Sequence, residues 1–289
     1  MIIDKLYENV KNNGPVCVGL DTSIEYIPKD FLNKYNSIED AITSFNERLI
    51  DATIDNAACF KVQIAYYEAL GLLGLRAYKR TLDYIRKKSG IIVADIKRGD
   101  ISKTAEMYAK AHFEGDFESD FITLNPYMGL DTIGPYLKYV DNSEKGLFIL
   151  LRTSNEGAKD IQYISAKSDR KIYNIVGEKI QDLGEKHKGK CGYSSIGAVV
   201  GCTHGEEAEK IREDLDKTFF LIPGYGAQGG AALDVARYMK NGNGGVVNSS
   251  RGILLAYKKQ ENGEKEFDRW AREEVINMRR TIEKACKSK

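Results

Sequence analysis

The feature that most restricts the fold of this chain is a series of eight short apolar runs: "VCVGL" (16–20), "ACFKV" (58–62), "IIVAD" (91–95), "FITLN" (121–125), "GLFILL" (146–151), "IGAVVG" (196–201), "FFLIP" (219–223) and "GGVVNS" (244–249). Each is too short for a core helix, and several are unbroken, the pattern of parallel strands covered on both faces. Between them, stretches such as "IEDAITSFNERLIDAT", "YYEALGLLGLRAYKRTLDYIRKK" and "GEEAEKIREDL" place apolar residues three or four apart, as amphipathic helices do. Eight alternating units in 289 residues imply a closed (β/α)8 TIM barrel, with a doubly wound open sheet as the alternative.

At this length one large core suffices, so residues 1–289 read as a single domain. The stretch from 152 to 194 is longer than a simple crossover. It holds a polar loop, the helical "KIYNIVGEKIQDLGEKH" and a glycine-bearing connector, and reads as decoration after strand 5. The chain ends in a helix, "EFDRWAREEVINMRRTIEKA", with a frayed lysine-rich tail.

Charge excludes several classes of partner. Lys and Arg number 43 against 42 Asp and Glu, with no long single-sign block, so neither nucleic acid nor an acidic membrane is expected and the partner is a small molecule. Asp4 and Glu8 break the start "MIIDKLYENV" where a secretory signal needs a cationic and then apolar segment. No apolar run approaches the ~18 residues of a membrane span. Five cysteines form no C-x-x-C, and Cys17, Cys59 and Cys202 sit in or beside apolar runs, which favours a reducing, cytoplasmic setting and argues against zinc.

In a barrel, polar residues at the carboxyl ends of strands converge on one face. Here those are Asp21, Lys61, the set Asp95, Lys97 and Asp100 in "DIKRGD", Asn125, Ser154, the loop "PGYGAQGG" (223–230) and "NSSRG" (248–252). Each has an ordinary reading. Asp21 and Asp100 suit helix or turn caps, and Asn125 before Pro126 suits a turn. Lys61, between Phe60 and Val62, must reach solvent or meet a carboxylate, because an isolated buried ammonium is very costly. Alternation sends Asp95 and Lys97 to one face and leaves Arg98 solvated or in a surface pair. The glycine-rich loop admits an anion to backbone N–H groups. "NSSRG" adds small residues before a helix start and the forked donors of Arg251, and both follow the last two strands, where barrels build phosphate sites. His112, His187 and His204 do not cluster and suggest neither metal nor triad.

Taken together, the D-x-K-x-x-D stretch at 95–100, the preceding "GLD" and "FKV" strand ends and the following "PGYGAQGG" and "SSRG" loops resemble the orotidine 5'-phosphate decarboxylase family over nearly the whole chain. The length and the "RTSNEGAKDIQ" stretch resemble its longer, mainly bacterial type 2 subgroup. The resemblance implies a cofactor-independent, metal-free decarboxylation of orotidine 5'-phosphate to uridine 5'-phosphate. Lys61, Asp95, Lys97 and Asp100 would form a charged network at the scissile carboxylate, with Asp100 lent by the partner in a homodimer with shared active sites. Thr104 would reach the partner's ligand, Asp21 and Lys61 would hold ribose hydroxyls, and Ser154 the pyrimidine amide. Gln228 would bridge base and phosphate, Gly229 beside it would also bind substrate, and Arg251 would grip the phosphate. Gln63, where some relatives carry another polar residue, receives no role.

Two rivals share the barrel. A metal-dependent sugar-phosphate decarboxylase or epimerase needs acidic ligands at several strand ends, and Lys61 is a poor start for a divalent site. A non-catalytic phosphate binder would need Arg251 and the glycine loop but not the acids and lysines.

Overall fold

The structure, a computed structural model, describes residues 1–166, 169–202, 205–226 and 231–289. Among these, eight parallel strands close into a barrel in chain order: β1 Val16–Gly19, β2 Cys59–Gln63, β3 Ile92–Arg98, β4 Phe121–Leu124, β5 Gly146–Arg152, β6 Ser194–Val200, β7 Thr218–Ile222 and β8 Gly245–Ser249. Each strand falls on one of the eight apolar runs, and β1 pairs with β8 to complete the ring, Cys17 opposite Asn248 and Val18 opposite Ser249. The closed barrel, not the open sheet, is the architecture.

Alternation along the strands divides two cores. Val16, Val18, Phe60, Val62, Ile92, Ala94 and Val247 point outward and pack against the surrounding helices. The opposite set, Cys17, Cys59, Val93, Phe121, Phe148, Phe219 and Val246, fills the barrel near its amino end. Phe121 and Phe148 stack there with centroids 5.1 Å apart. The helix Ile2–Asn13 closes that end with Ile2, Ile3, Leu6 and Val10. Apolar side chains therefore plug the lower barrel, and the inward positions one step further along the strands are left for polar groups.

The helices follow their sequence patterns with one exception. Ser37 caps the helix Ile38–Thr53, its Oγ accepting from the Asp40 amide at 3.0 Å, and Ala41, Ile42, Phe45, Leu49 and Ile50 line the buried stripe. The run "YYEALGLLGLRAYKRTLDYIRKK" is not one helix: it breaks into Ala65–Glu68 and Gly71–Lys87. Gly71 at the joint takes φ +62°, a left-handed backbone open to glycine and costly for other residues. "EFDRWAREEVINMRRTIEKA" forms Phe267–Lys287, whose Asp268 takes Arg48 in a forked pair at 2.7 and 3.0 Å, while Phe267 stacks on Phe45. Between β5 and the helix Ile172–Gly184 lie a 3-10 turn, Glu156–Asp160, and a bridge joining Ser165 to Lys171. Among the described residues no helix is long and apolar enough to cross a membrane.

Candidate active site

The inward positions at the carboxyl ends of β1, β2 and β3 hold a row of alternating charge. Parallel register sets Gly19 beside Lys61 and Gln63 beside Asp95, so side chains from adjacent strands meet at one level. The Lys61 ammonium, 4% exposed, lies 2.8 Å from Asp21 Oδ1 and 3.1 Å from Asp95 Oδ2. Lys97 Nζ donates to Asp95 Oδ1 at 2.6 Å, and this lysine is 45% exposed. The row Asp21, Lys61, Asp95, Lys97 thus has its most buried members, Lys61 and Asp95, in the middle and its most exposed, Lys97, at the opening of the barrel.

Electrostatics explain why a buried carboxylate and ammonium stay ionised. Burial drives the Asp95 carboxyl up, but Lys61 and Lys97, with the hydrogen bonds to Asp95, outweigh it and hold it at about 2. Burial pushes the Lys61 ammonium down, and the charges of Asp21 and Asp95 reverse this and keep it well above its ordinary value. Removing either partner would strand a charge in low dielectric.

Lys97 is aimed by an irregular backbone. Pairing between β3 and β4 slips between Ala94 and Arg98, and Lys97 takes φ +45°. The fully buried Thr123 on β4 collects the groups this leaves over: its Oγ1 accepts from the amides of Ile96 and Lys97, both at 2.9 Å, and donates to Asp95 Oδ1 at 2.9 Å. Asp95 and Lys97 do meet, as alternation requires, but through a bulge. Arg98 turns away to Glu68 at 2.6 Å, the surface pair anticipated for it.

Two further side chains complete the row. Gln63 Nε2 donates to Asp95 Oδ2 at 2.9 Å, so a residue without an assigned role proves to touch the central carboxylate. It lies two positions beyond Lys61 on the same face of β2, which is the signal that would have found it. Ser250 Oγ donates to Asp21 Oδ2 at 2.7 Å, tying the segment after β8 to β1. Nothing in the sequence singled out Thr123 beyond its inward position in "FITLN".

These groups line a cleft of about 380 Å³, bounded on the far side by Pro223, Gly224 and Tyr225 after β7, by Ser249 at the end of β8 and by Ser250 and Arg251 after it. A larger cleft of about 760 Å³ lies outside the barrel, between the helices Ile172–Gly184 and Gly205–Asp214, away from the charged row. The chemistry singles out the smaller one.

Of the remaining expected site residues, Asp100 and Thr104 make no hydrogen bond or ion pair with this row among the described residues. Asp100 lies beyond β3 and makes no ion pair among the described residues. Its Oδ1 accepts from the Ile101 amide at 2.8 Å, and Ile101, not Asp100, occupies the cap of the helix Ser102–Phe113. Thr104 is exposed on that helix. Ser154 follows β5 and packs on Gly201 at the end of β6, where a Cβ on the glycine would come within 2.8 Å of the serine Cβ. Gln228, Gly229 and His204 lie outside the described residues. Asn125 makes the turn expected of it, its Oδ1 accepting from the Tyr127 amide at 3.0 Å. His112 is buried and burial lowers it to about 4, while His187 sits 3.6 Å from Asp141. Among the described residues no cluster of three His, Cys, Asp or Glu side chains could hold a metal ion.

Comparison with known proteins bears on this arrangement. Residues 14–265 match the family model described as "Orotidine 5'-phosphate decarboxylase / HUMPS family". A Clostridium botulinum protein named orotidine 5'-phosphate decarboxylase is 66% identical over 283 residues, covering 98% of this chain and 99% of that one. A Clostridium tetani protein of the same name is 66% identical over 289 residues, covering all of both chains. Among solved structures, a Streptomyces avermitilis protein overlays with a TM-score of 0.82 at 27% identity, covering 99% of this chain and 96% of that one. The Leishmania donovani OMP decarboxylase overlays at 0.74 and 27% identity, covering 96% and 98%. The chain belongs to the orotidine 5'-phosphate decarboxylase / HUMPS family.

Proposed function

We propose that this chain is the decarboxylase of that family, a carboxy-lyase converting orotidine 5'-phosphate to uridine 5'-phosphate and carbon dioxide in pyrimidine synthesis. The observation that carries this reading is the alternating row of Asp21, Lys61, Asp95 and Lys97 at the mouth of the barrel.

Loss of carbon dioxide from C6 leaves an electron pair in the ring plane, orthogonal to the π system, so the ring cannot delocalise it. What the reaction needs is fixed charge and a proton in the correct place, which is electrostatic preorganisation. Lys97 has both, as the more exposed cation of the row and a proton donor toward C6. Asp95 holds that ammonium aimed and faces the departing carboxylate. Two like charges at ~3 Å repel by about 5 kcal/mol at an effective dielectric of ~20, and the departure of neutral carbon dioxide relieves this. Asp21 and Lys61 hold the ribose hydroxyls, Ser154 the pyrimidine amide and Arg251 the phosphate, while Gln228 bridges base and phosphate with Gly229 beside it. Binding energy at the remote phosphate then orders the charged groups around C6. No metal or organic cofactor enters this chemistry.

The site is completed by a second copy, whose Asp100 joins the network and whose Thr104 reaches the ligand. Supporting this, Ile101, Met107, Tyr127 and Met128 are each more than half exposed. Gly99 lies against Asn125, which brings the two segments carrying these residues together around Asp100. An apolar patch beside an acid with no ion pair among the described residues is the mark of a buried contact in an assembly. We read residues 1–289 as one barrel domain, of the longer type 2 subgroup, working in the cytoplasm as a homodimer with neither nucleic acid nor membrane as partner.

The test is release of carbon dioxide from orotidine 5'-phosphate by the purified protein. Turnover that survives chelator and vanishes in Lys97→Ala is expected. No turnover in the unaltered protein, or loss on chelation, would overturn the assignment.

A further inference from the structure

The side chain of Arg152, at the last residue of β5, is completely buried. Its Nε and Nη2 donate to the Tyr163 hydroxyl at 3.1 and 2.8 Å, Nη2 also reaches Glu207 Oε2 at 3.1 Å, and Nη1 approaches the Gly201 carbonyl at 3.4 Å. Glu207, on the helix after β6, accepts as well from the Tyr163 hydroxyl and from Lys171 Nζ, the latter at 2.8 Å. Three separate pieces of chain therefore converge on one buried guanidinium: the end of β5, the stretch between β5 and the next helix, and the first turns of the helix after β6.

The same stretch is tied a second time. Gln162 brackets Thr153, its Oε1 accepting from the Thr153 amide at 2.9 Å and its Nε2 donating to Thr153 Oγ1 at 2.8 Å. The Gly201 amide donates to the Arg152 carbonyl at 2.8 Å, and Ser154 packs directly on Gly201. Residue 152 is thus held by 163 and 207, residue 153 by 162, and residue 154 rests on 201. A buried ion pair rarely adds much stability over a well-packed apolar substitute, so a network of this kind is better suited to fixing a geometry than to holding the barrel together.

We infer that Arg152, Tyr163 and Glu207 are positioning residues for Ser154, a clamp that holds the 153–163 arch over the barrel so that Ser154 meets the pyrimidine. The inference rests on the reading of Ser154 as the contact to the base. None of the three touches substrate; their effect on ligands passes through residue 154. The clamp therefore acts on recognition of the base and leaves the ribose phosphate untouched.

The experiment compares uridine 5'-phosphate with ribose 5-phosphate, which lacks the base, by calorimetric titration of the full-length protein. Tyr163→Phe removes the hydroxyl shared by Arg152 and Glu207 at a half-buried position. It is expected to weaken uridine 5'-phosphate about tenfold, the worth of one well-placed hydrogen bond, and to leave ribose 5-phosphate within about twofold. In a Ser154→Ala background the same substitution should cost nothing further. Glu207→Gln should behave likewise, and Arg152→Met more severely; should that variant fail to fold, the first two decide. Equal weakening of both ligands, or a full tenfold loss persisting without the serine, overturns the clamp. If Ser154→Ala alone leaves uridine 5'-phosphate binding unchanged, the assignment of Ser154 falls, and the clamp with it.

Discussion

Replacing Thr123 by valine isolates what the bulge in β3 contributes, because the two side chains have nearly the same shape. Thr123 is fully buried, and its hydroxyl serves the amides of Ile96 and Lys97 and the Asp95 carboxylate, all at 2.9 Å. Each buried amide left without an acceptor costs about 1–3 kcal/mol, and loss of a donor to a charged acceptor costs a similar amount. Lys97 borders the open cleft, so water recovers part of this for its amide, and Thr123→Val is expected to cost about 2–5 kcal/mol. The control is Thr218→Val: Thr218 is equally buried, but its hydroxyl has no partner among the described residues, so this change should lie within about 0.5 kcal/mol of the parent. Urea unfolding measures both. In turnover, Thr123→Val releases the backbone that aims Lys97, and kcat should fall at least about tenfold, while the Thr218 variant keeps it. If the two variants share one unfolding midpoint and one kcat, Thr123 does not hold the bulge and the account of Lys97 is wrong.

Other outcomes follow from the same geometry. Arg251→Ala should raise KM with a smaller effect on kcat, whereas Lys97→Ala should abolish turnover at saturation; equal losses in kcat would contradict that division of labour. Mixed Lys97→Ala and Asp100→Ala proteins should recover up to about a quarter of full activity if a two-fold dimer shares its sites, since half of the pairs are mixed and each carries one intact site. No recovery despite subunit exchange would reject sharing. Asp95, held at about 2 against an unfolded value near 3.8, contributes stability that is present above pH ~4 and lost as pH falls toward ~2, on the order of 2 kcal/mol. Asp95→Asn should flatten that acid limb in unfolding titrations. Arg212→Met should destabilise by about 2–4 kcal/mol with specific activity retained. Its guanidinium donates to the carbonyls of Tyr238, Leu215 and Thr218 at 2.9 to 3.0 Å, and it does not line the cleft.

Strand order and the inward set at β1 to β3 were legible in the sequence because period-two burial leaves a direct imprint on residue type. Lys61 announced a buried ion pair, since no lone ammonium is tolerated between Phe60 and Val62, and it found two carboxylates. What escaped was conformational. The left-handed Gly71 cut a stretch whose apolar spacing read as continuous, and the bulge at Lys97 arises from a hydroxyl on a neighbouring strand that no local pattern reveals. Gln63 was given no role because some relatives carry another polar residue there, although its face of β2 points at Asp95. Asp100 illustrates the opposite limit: its local surroundings explain little, and its proposed partner belongs to another molecule.

The strained turn at position 97 sets protein engineering against itself. A lysine there forgoes about 1 kcal/mol that glycine or asparagine would not, so a campaign selecting thermostability alone would be drawn to replace it. On the role proposed for Lys97, the more robust protein recovered that way would be inert. Libraries built from this scaffold should keep that codon constant and seek their gains in the apolar lower barrel instead.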